Sequence, residues 1–447
     1  MSMRRRLSIL TLALIVTLGL AGVLPAQPSA PLSLEDCVEI ALSTHPEVRL
    51  AAQRVQEAQG KLRQARSLNL PQVDFDTSWT EYEWLPPNKQ KILGAGTTDV
   101  YSEVALRQLL YSGGRNQALL DQARLDLLGA HEELRRVRQS VVFQVTKAFF
   151  SLQEAQEVLK SQREAVNQIQ AHLDIARKRL TVGTAKELDV LKAEVQLADV
   201  QQASIAAENR VAVSRMALNV AMGRRPDTPL ETTQSTAAPS VVAAACPSLE
   251  EVLPAHPEWI QGELTLRRAE AGLTVAESLT RPDLALQASY NLEGGSFPPD
   301  IDNWNVGLRV SIPLWDSGNA AGAKGAARAR IEQARTGQEL LRQRLGLRLE
   351  EAQVAIRDAQ ERRRVTALSA EEARRALAVE QERYRVGAGS SIEVIDAQVA
   401  LTRAEANAIQ ATYDYAVALA QLEYAVGRDP APVAEHGAPS GAAGESK

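Results

Sequence analysis

The chain has 447 residues, of which 23% are charged and only 4% aromatic, with a formal net charge of −5 and two cysteines. That length allows two or three ordinary domains, and the acidic balance argues against nucleic acid as a partner. Few aromatics among abundant Ala, Leu, Gln, Arg and Glu suit long helices packed through small residues better than a compact enzyme core.

Arg4, Arg5 and Arg6 precede an apolar stretch from Leu7 to Leu20, and small residues follow near Ala26. This is the pattern of a secretory signal over residues 1–26. An uncleaved anchor is the alternative, but the stretch is shorter than the ~20 residues of a spanning helix. Removing the signal takes the charge from −5 to −8. No lipidation motif precedes Cys37. Export permits a Cys37–Cys246 disulfide, and two unpaired buried thiols are the plain alternative.

Ser33-Leu34-Glu35-Asp36 reads as a capping box, so a helix is expected from Ser33 to about Leu70. The period then switches to two. Val73, Phe75 and Trp79 oppose Asp74, Asp76 and Ser78, and Val100, Val104 and Leu106 oppose Tyr101, Glu103 and Arg107. A β-hairpin over about 72–110 follows from that alternation. After Gly113-Gly114, apolar residues from Val141 to Leu180 step by three and four, which predicts a long supercoiling helix from about Arg115 to Arg179. A tight turn near Gly183 returns the chain through a helix over about 187–222. A Pro/Thr/Ala-rich linker follows over 224–247.

The remainder repeats this text. Arg179-Leu180-Thr181-Val182-Gly183 is echoed by Arg383-Tyr384-Arg385-Val386-Gly387, about 204 residues later. His45-Pro46-Glu47 is echoed by His256-Pro257-Glu258. One unit over 27–223 has thus been duplicated over 248–427, leaving 428–447 as a tail expected to be disordered. The second hairpin is expected over about 283–313, the second long helix over about 320–384 and its return over about 391–426. A return helix plus an opening helix matches one long helix in length. The simplest solid is a cylinder with the strands at one end, the two glycine turns at the other and the linker at its waist.

Four strands per chain cannot close a barrel, and an open sheet edge is costly in hydrocarbon. Trp79, Trp84, Trp304 and Trp315 lie in or beside the hairpins, where a barrel's aromatic girdle would sit. Several chains are therefore expected to share one barrel. The alternative is a soluble periplasmic coiled-coil scaffold without a pore.

Assembled, these duplicated R-x-x-V-G turns, paired hairpins and H-P-E starts resemble the TolC family of outer-membrane efflux channels. The resemblance covers about 30–427. It implies a mostly α fold with a small transmembrane β part, in which three chains build a twelve-stranded barrel on a periplasmic α-barrel. It implies an outer-membrane location, contact with outer-membrane lipid, and a passive exit duct for efflux or type I secretion. The implied partners are a periplasmic adaptor and an inner-membrane pump of RND or ABC type. By the same resemblance, Val182, Gly183 and Thr184, with Val386 and Gly387, form adaptor-docking turns. The second turn departs from the family, because Ala388-Gly389 replaces a threonine and a basic residue; whether it docks stays open.

Glu393 and Asp396 sit at i and i+3 on one helix face. Three copies would ring the axis with six carboxylates, favouring cations and raising carboxyl pKa values. The resemblance places them in the family's acidic gate; a capping charge at a helix start is the competing reading. Asp189, Tyr384 and Arg383 would brace the closed mouth. The histidines (His45, His131, His172, His256, His436) are scattered, no cysteine cluster could hold a metal, and no nucleophile–base set is present. No cofactor and no enzymatic activity are expected, and the cargo is not legible.

Overall fold

A computed structural model describes residues 31–93, 97–233 and 247–428. The expected signal, Cys246 and the tail beyond Arg428 lie outside the described residues. In order, the elements are α1 (Leu34–Thr44), α2 (Pro46–Ser67), β1 (Gln72–Glu81), α3 (Pro87–Leu93), β2 (Thr98–Ser112), α4 (Arg115–Thr181) and α5 (Glu187–Ala221). The second half holds α6 (Leu249–Val252) with a 3-10 turn (Leu253–Ala255), α7 (Pro257–Ser278), β3 (Asp283–Gly294), β4 (Ile301–Ser311), α8 (Asn319–Arg385) and α9 (Ser391–Val426).

The helix expected from Ser33 to about Leu70 is in fact two. Its start is as expected: Asp36 accepts from the Ser33 backbone N–H at 2.8 Å, and the Asp36 N–H donates to Ser33 Oγ at 3.1 Å. The break comes at Pro46, which has no N–H to donate and keeps its predecessor out of the helical region. His45 is extended (φ −63, ψ 130), and its Nδ1 accepts from the Glu47 N–H at 3.2 Å. The second copy does the same, with His256 at φ −77, ψ 124 and its Nδ1 accepting from the Glu258 N–H at 3.2 Å. Both histidines cap helices. The short helix α3 inside the first hairpin was not anticipated either.

The four strands form one antiparallel sheet in the order β1-β2-β3-β4. Through the middle of the sheet, register separates an apolar face from a polar one. Phe75 pairs with Val104, Val104 with Tyr290 and Tyr290 with Trp304, forming one apolar row across the sheet. On the other face Asp76 pairs with Glu103, Glu103 with Asn291 and Asn291 with Asn303. β1 and β4 remain edges, and every residue of β4 is exposed.

The two long helices have 67 residues each, about 100 Å at 1.5 Å per residue. α4 runs through the middle of the chain, against α2 and α7 in its strand-side half and against α5 and α9 beyond. Leu62 and Ala65 of α2 pack on Leu120 and Ala123 near the strands, and Leu173 and Ala176 pack on Val190, Ala193 and Ile395 at the far end. Among the long elements, α8 has only α7 and α9 beside it. Half-length helices stacked end to end beside full-length ones is the arrangement the lengths imply. At the junctions, Gly223 (φ +72) lies so near His45 that an added Cβ would be 2.8 Å from its Cα. Gly427 (φ +70) lies as near the His256 ring, whose Cδ2 would be 2.8 Å from an added Cβ.

The largest core cluster lies at this level, with Cys37, Ala41, Val141, Val145, Phe149, Phe150, Leu218 and Met222. Burial pushes the Cys37 thiol up to about 11. The linker's first residues are held here too: Thr233 N–H donates to Leu32 O at 3.0 Å, and Gln153, near mid-length of α4, donates to Thr233 O at 3.0 Å.

Candidate functional site at the helical tip

Each long helix ends in a glycine turn. After α4, the Gly183 N–H donates to Leu180 O at 3.0 Å and the Thr184 N–H to Arg179 O at 2.9 Å. After α8, the Gly387 N–H donates to Tyr384 O at 3.0 Å and the Ala388 N–H to Arg383 O at 2.8 Å. Gly183 and Gly387 have φ +76 and +82, the left-handed conformation that reverses a helix without a Cβ clash. Val182 and Val386 crown the turns at 72% and 63% exposure. The predicted docking residues Val182, Gly183, Thr184, Val386 and Gly387 therefore stand exposed at one end, opposite the sheet.

The two turns are tied to each other. The Arg179 guanidinium donates to Arg385 O at 2.8 Å and stands 4.3 Å over the Tyr384 ring. The His172 ring lies 5.0 Å from that ring, and its Nε2 is 2.8 Å from Ser391 Oγ. His172, Tyr384 and Ser391 are all buried. Burial, reinforced by Arg179 and opposed by Asp189, holds the His172 imidazole below its ordinary range. A neutral ring sharing one hydrogen bond with a hydroxyl is the form such a site favours.

Of the three residues expected to brace the closed mouth, Tyr384 takes part in this tie, while Asp189 and Arg383 make their hydrogen bonds within their own hairpins. Tyr384 turns inward, and its hydroxyl finds no partner among the described residues. Asp189 accepts instead from the Lys186 N–H at 3.2 Å, completing its own helix start. Arg383 pairs with Glu380 one turn back, at 2.8 Å. The residues that join the hairpins, His172, Arg179 and Ser391, were passed over. His172 did carry a signal: it neighbours Leu173 on the stripe that α4 buries, where a polar residue needs a partner.

Glu393 and Asp396 lie on one exposed face of α9, together with Ile392 and Val399. Glu393 also caps the helix, accepting from the Ser390 N–H at 2.8 Å. That hydrogen bond holds its carboxyl below the ordinary range. Within one chain the shift is thus opposite to the rise expected of a carboxylate ring, because the nearest perturbing group is a backbone donor and not another carboxylate.

A family model described as outer membrane efflux protein matches residues 37–224 and 249–428, two segments that follow the two repeats. Among curated proteins, the fusaric acid resistance protein FusA of Burkholderia cepacia is 25% identical over 67% of this chain and 58% of its own length. The probable efflux pump outer membrane protein TtgC of Pseudomonas putida is 23% identical over 64% and 60%. The chain thus spans less than two thirds of these two relatives. Outer membrane protein TolC of Vibrio cholerae is 23% identical over 81% of this chain and 83% of its own. The fold matches crystal structures of CusC (TM-score 0.79, 20% identity, 88% of this chain and 91% of that one) and of VceC from Vibrio cholerae (0.76, 19%, 88% and 96%).

Proposed function

The chain belongs to the outer membrane efflux protein family, and on that premise we propose that three copies close into one outer-membrane exit duct. The carrying observation is that its unsatisfied surfaces lie on opposite edges. β1 and α5 stand at one edge; β4 and α8 stand at the other. On α5, Leu188, Leu191, Val195, Val213, Met216 and Val220 are exposed; on α8, Leu340, Leu347, Val354 and Leu368 recur at multiples of seven. Heptad spacing is what a helical neighbour requires. Val213 also lines an open groove of about 620 Å³ beside α4. Two different edges on one chain make a head-to-tail interface, which closes into a ring when each copy is rotated by an equal fraction of a full turn. Three chains supply twelve strands, enough for a barrel.

The apolar face of that barrel meets lipid: Phe75, Trp79, Trp304, Val306 and Leu308 are each at least 63% exposed. So continuous an apolar face does not suit the soluble-scaffold alternative. Among the described residues no helix is long and apolar enough to cross a membrane; in this reading the strands make the crossing. The helices project into the periplasm, where the two glycine turns meet an adaptor linked to an inner-membrane pump of RND or ABC type. The pump supplies the energy.

The Glu393–Asp396 face turns toward the axis and makes the inner mouth cation-selective. Detergent-extracted protein is expected to have a three-chain mass and to conduct in planar bilayers. Glu393→Ala with Asp396→Ala lowers cation selectivity; a stable lone chain without conductance overturns the reading.

A further inference from the structure

The end of the sheet farthest from the helices is asymmetric. The second hairpin turns quickly through 295–300, whereas the first makes a longer excursion that includes α3. The described part of that excursion is fastened down. Leu85 is only 3% exposed, and its carbonyl accepts from Gln90 Nε2 at 2.9 Å. The Tyr82 N–H donates to Thr97 O at 2.8 Å. From α3, the Lys89 ammonium reaches Asp99 at the start of β2 and lies 3.0 Å from Glu293 near the end of β3.

Register fixes the side on which this happens. Tyr101 pairs with Glu293, and Asp99 stands two residues from Tyr101, so both carboxylates project from the polar face. Asp99 is 4% exposed; its Oδ2 takes the Lys89 contact, and its Oδ1 has no hydrogen-bond partner among the described residues. Asp99 first, then Glu293, holds the Lys89 ammonium above the ordinary lysine range. An ion pair this sheltered is worth more than one on an open surface, and removing one partner leaves a costly buried charge.

We propose that Lys89 fastens α3 across the polar rim of the sheet, so that three such straps narrow the outer mouth of the duct. This rests on the trimeric reading above, in which the polar face lines the lumen. The duct then has two constrictions in series: one at the glycine turns, which faces the pump, and one that meters passage at the outer surface. The strap admits small solutes and turns away bulky ones.

The experiment places a cysteine on the polar face one step below the strap, Asn291→Cys, and labels intact cells from outside. A small charged maleimide is expected to react in every variant, and a long polyethylene-glycol maleimide only slowly. Lys89→Ala should speed the bulky reagent about tenfold while leaving the small one unchanged, the signature of a lid and not of a rebuilt barrel. Asp99→Asn with Glu293→Gln removes both negative charges that hold the ammonium without altering the strap and should do the same; it decides the matter if Lys89→Ala fails to form trimers. Equal bulky-reagent rates in all trimeric variants overturn the strap. No labelling by the small reagent overturns the lumenal reading itself.

Discussion

The two long helices are copies, and their environments are opposite. At positions 143 and 150, α4 carries Phe143, stacked on Tyr424 at 5.3 Å, and Phe150, which is 6% exposed. The equivalent positions of α8, about 204 residues later, carry Leu347 and Val354, at 60% and 55% exposure. One copy carries large aromatic residues that fill the middle of a single chain; the other carries medium-sized apolar residues on an outer face. A duplicated unit can thus divide its labour: one half builds the protomer's own core and the other builds the surface that needs a neighbour.

That contrast can be broken most forcefully at α8. Leu347→Arg with Val354→Arg should abolish the trimer while leaving helical circular dichroism intact, since each unpaired arginine buried at an interface costs about 3–5 kcal/mol. Phe150→Ala should instead cost about 3–5 kcal/mol of the chain's own stability, seen as a lower melting temperature before any loss of assembly. If both variants lose assembly and stability together, the division of labour is wrong.

The two junctions sharpen the comparison further. His256 is 2% exposed, and burial, reinforced by Arg348 and Arg135 and opposed by Glu258, lowers it to about 4. An unfolded histidine binds its proton near 6.5. Between those values the unfolded chain therefore holds more protons, so stability is full above about 6.5 and declines, on the order of 1–3 kcal/mol, as pH falls toward 4. His256→Asn keeps a capping acceptor and removes the titration; thermal melts across that range should flatten. An unchanged slope would place the acid sensitivity elsewhere.

The smallest effect is at the second tip turn. Gly387 has open space around a would-be Cβ, so Gly387→Ala should cost only the left-handed strain of about 1 kcal/mol. A larger loss measured in the trimer would mean that a neighbouring copy or an adaptor presses on that turn.

Periodicity made the fold legible because period and length are local properties. The strands alternate residue by residue, and the bounds of α9 agree with expectation. The break at His45 was missed because a capping box and a run of helix formers flank it, and only the ban on the helical region before Pro46 opposes them. At the tip, the turns could be read because glycine is needed there. The brace could not, because a heptad says that His172 is buried and not which helix it meets. Tyr384 is expected to brace the closed mouth, and within one chain it closes the gap between the hairpins.

The open β1 and β4 margins also constrain biogenesis. On the trimeric reading, a solitary sheet entering lipid would carry two rows of backbone groups without acceptors or donors, each costing several kcal/mol. Helical bodies would therefore have to find one another in water first, and membrane entry becomes a concerted event with a steep dependence on the number of nascent chains nearby.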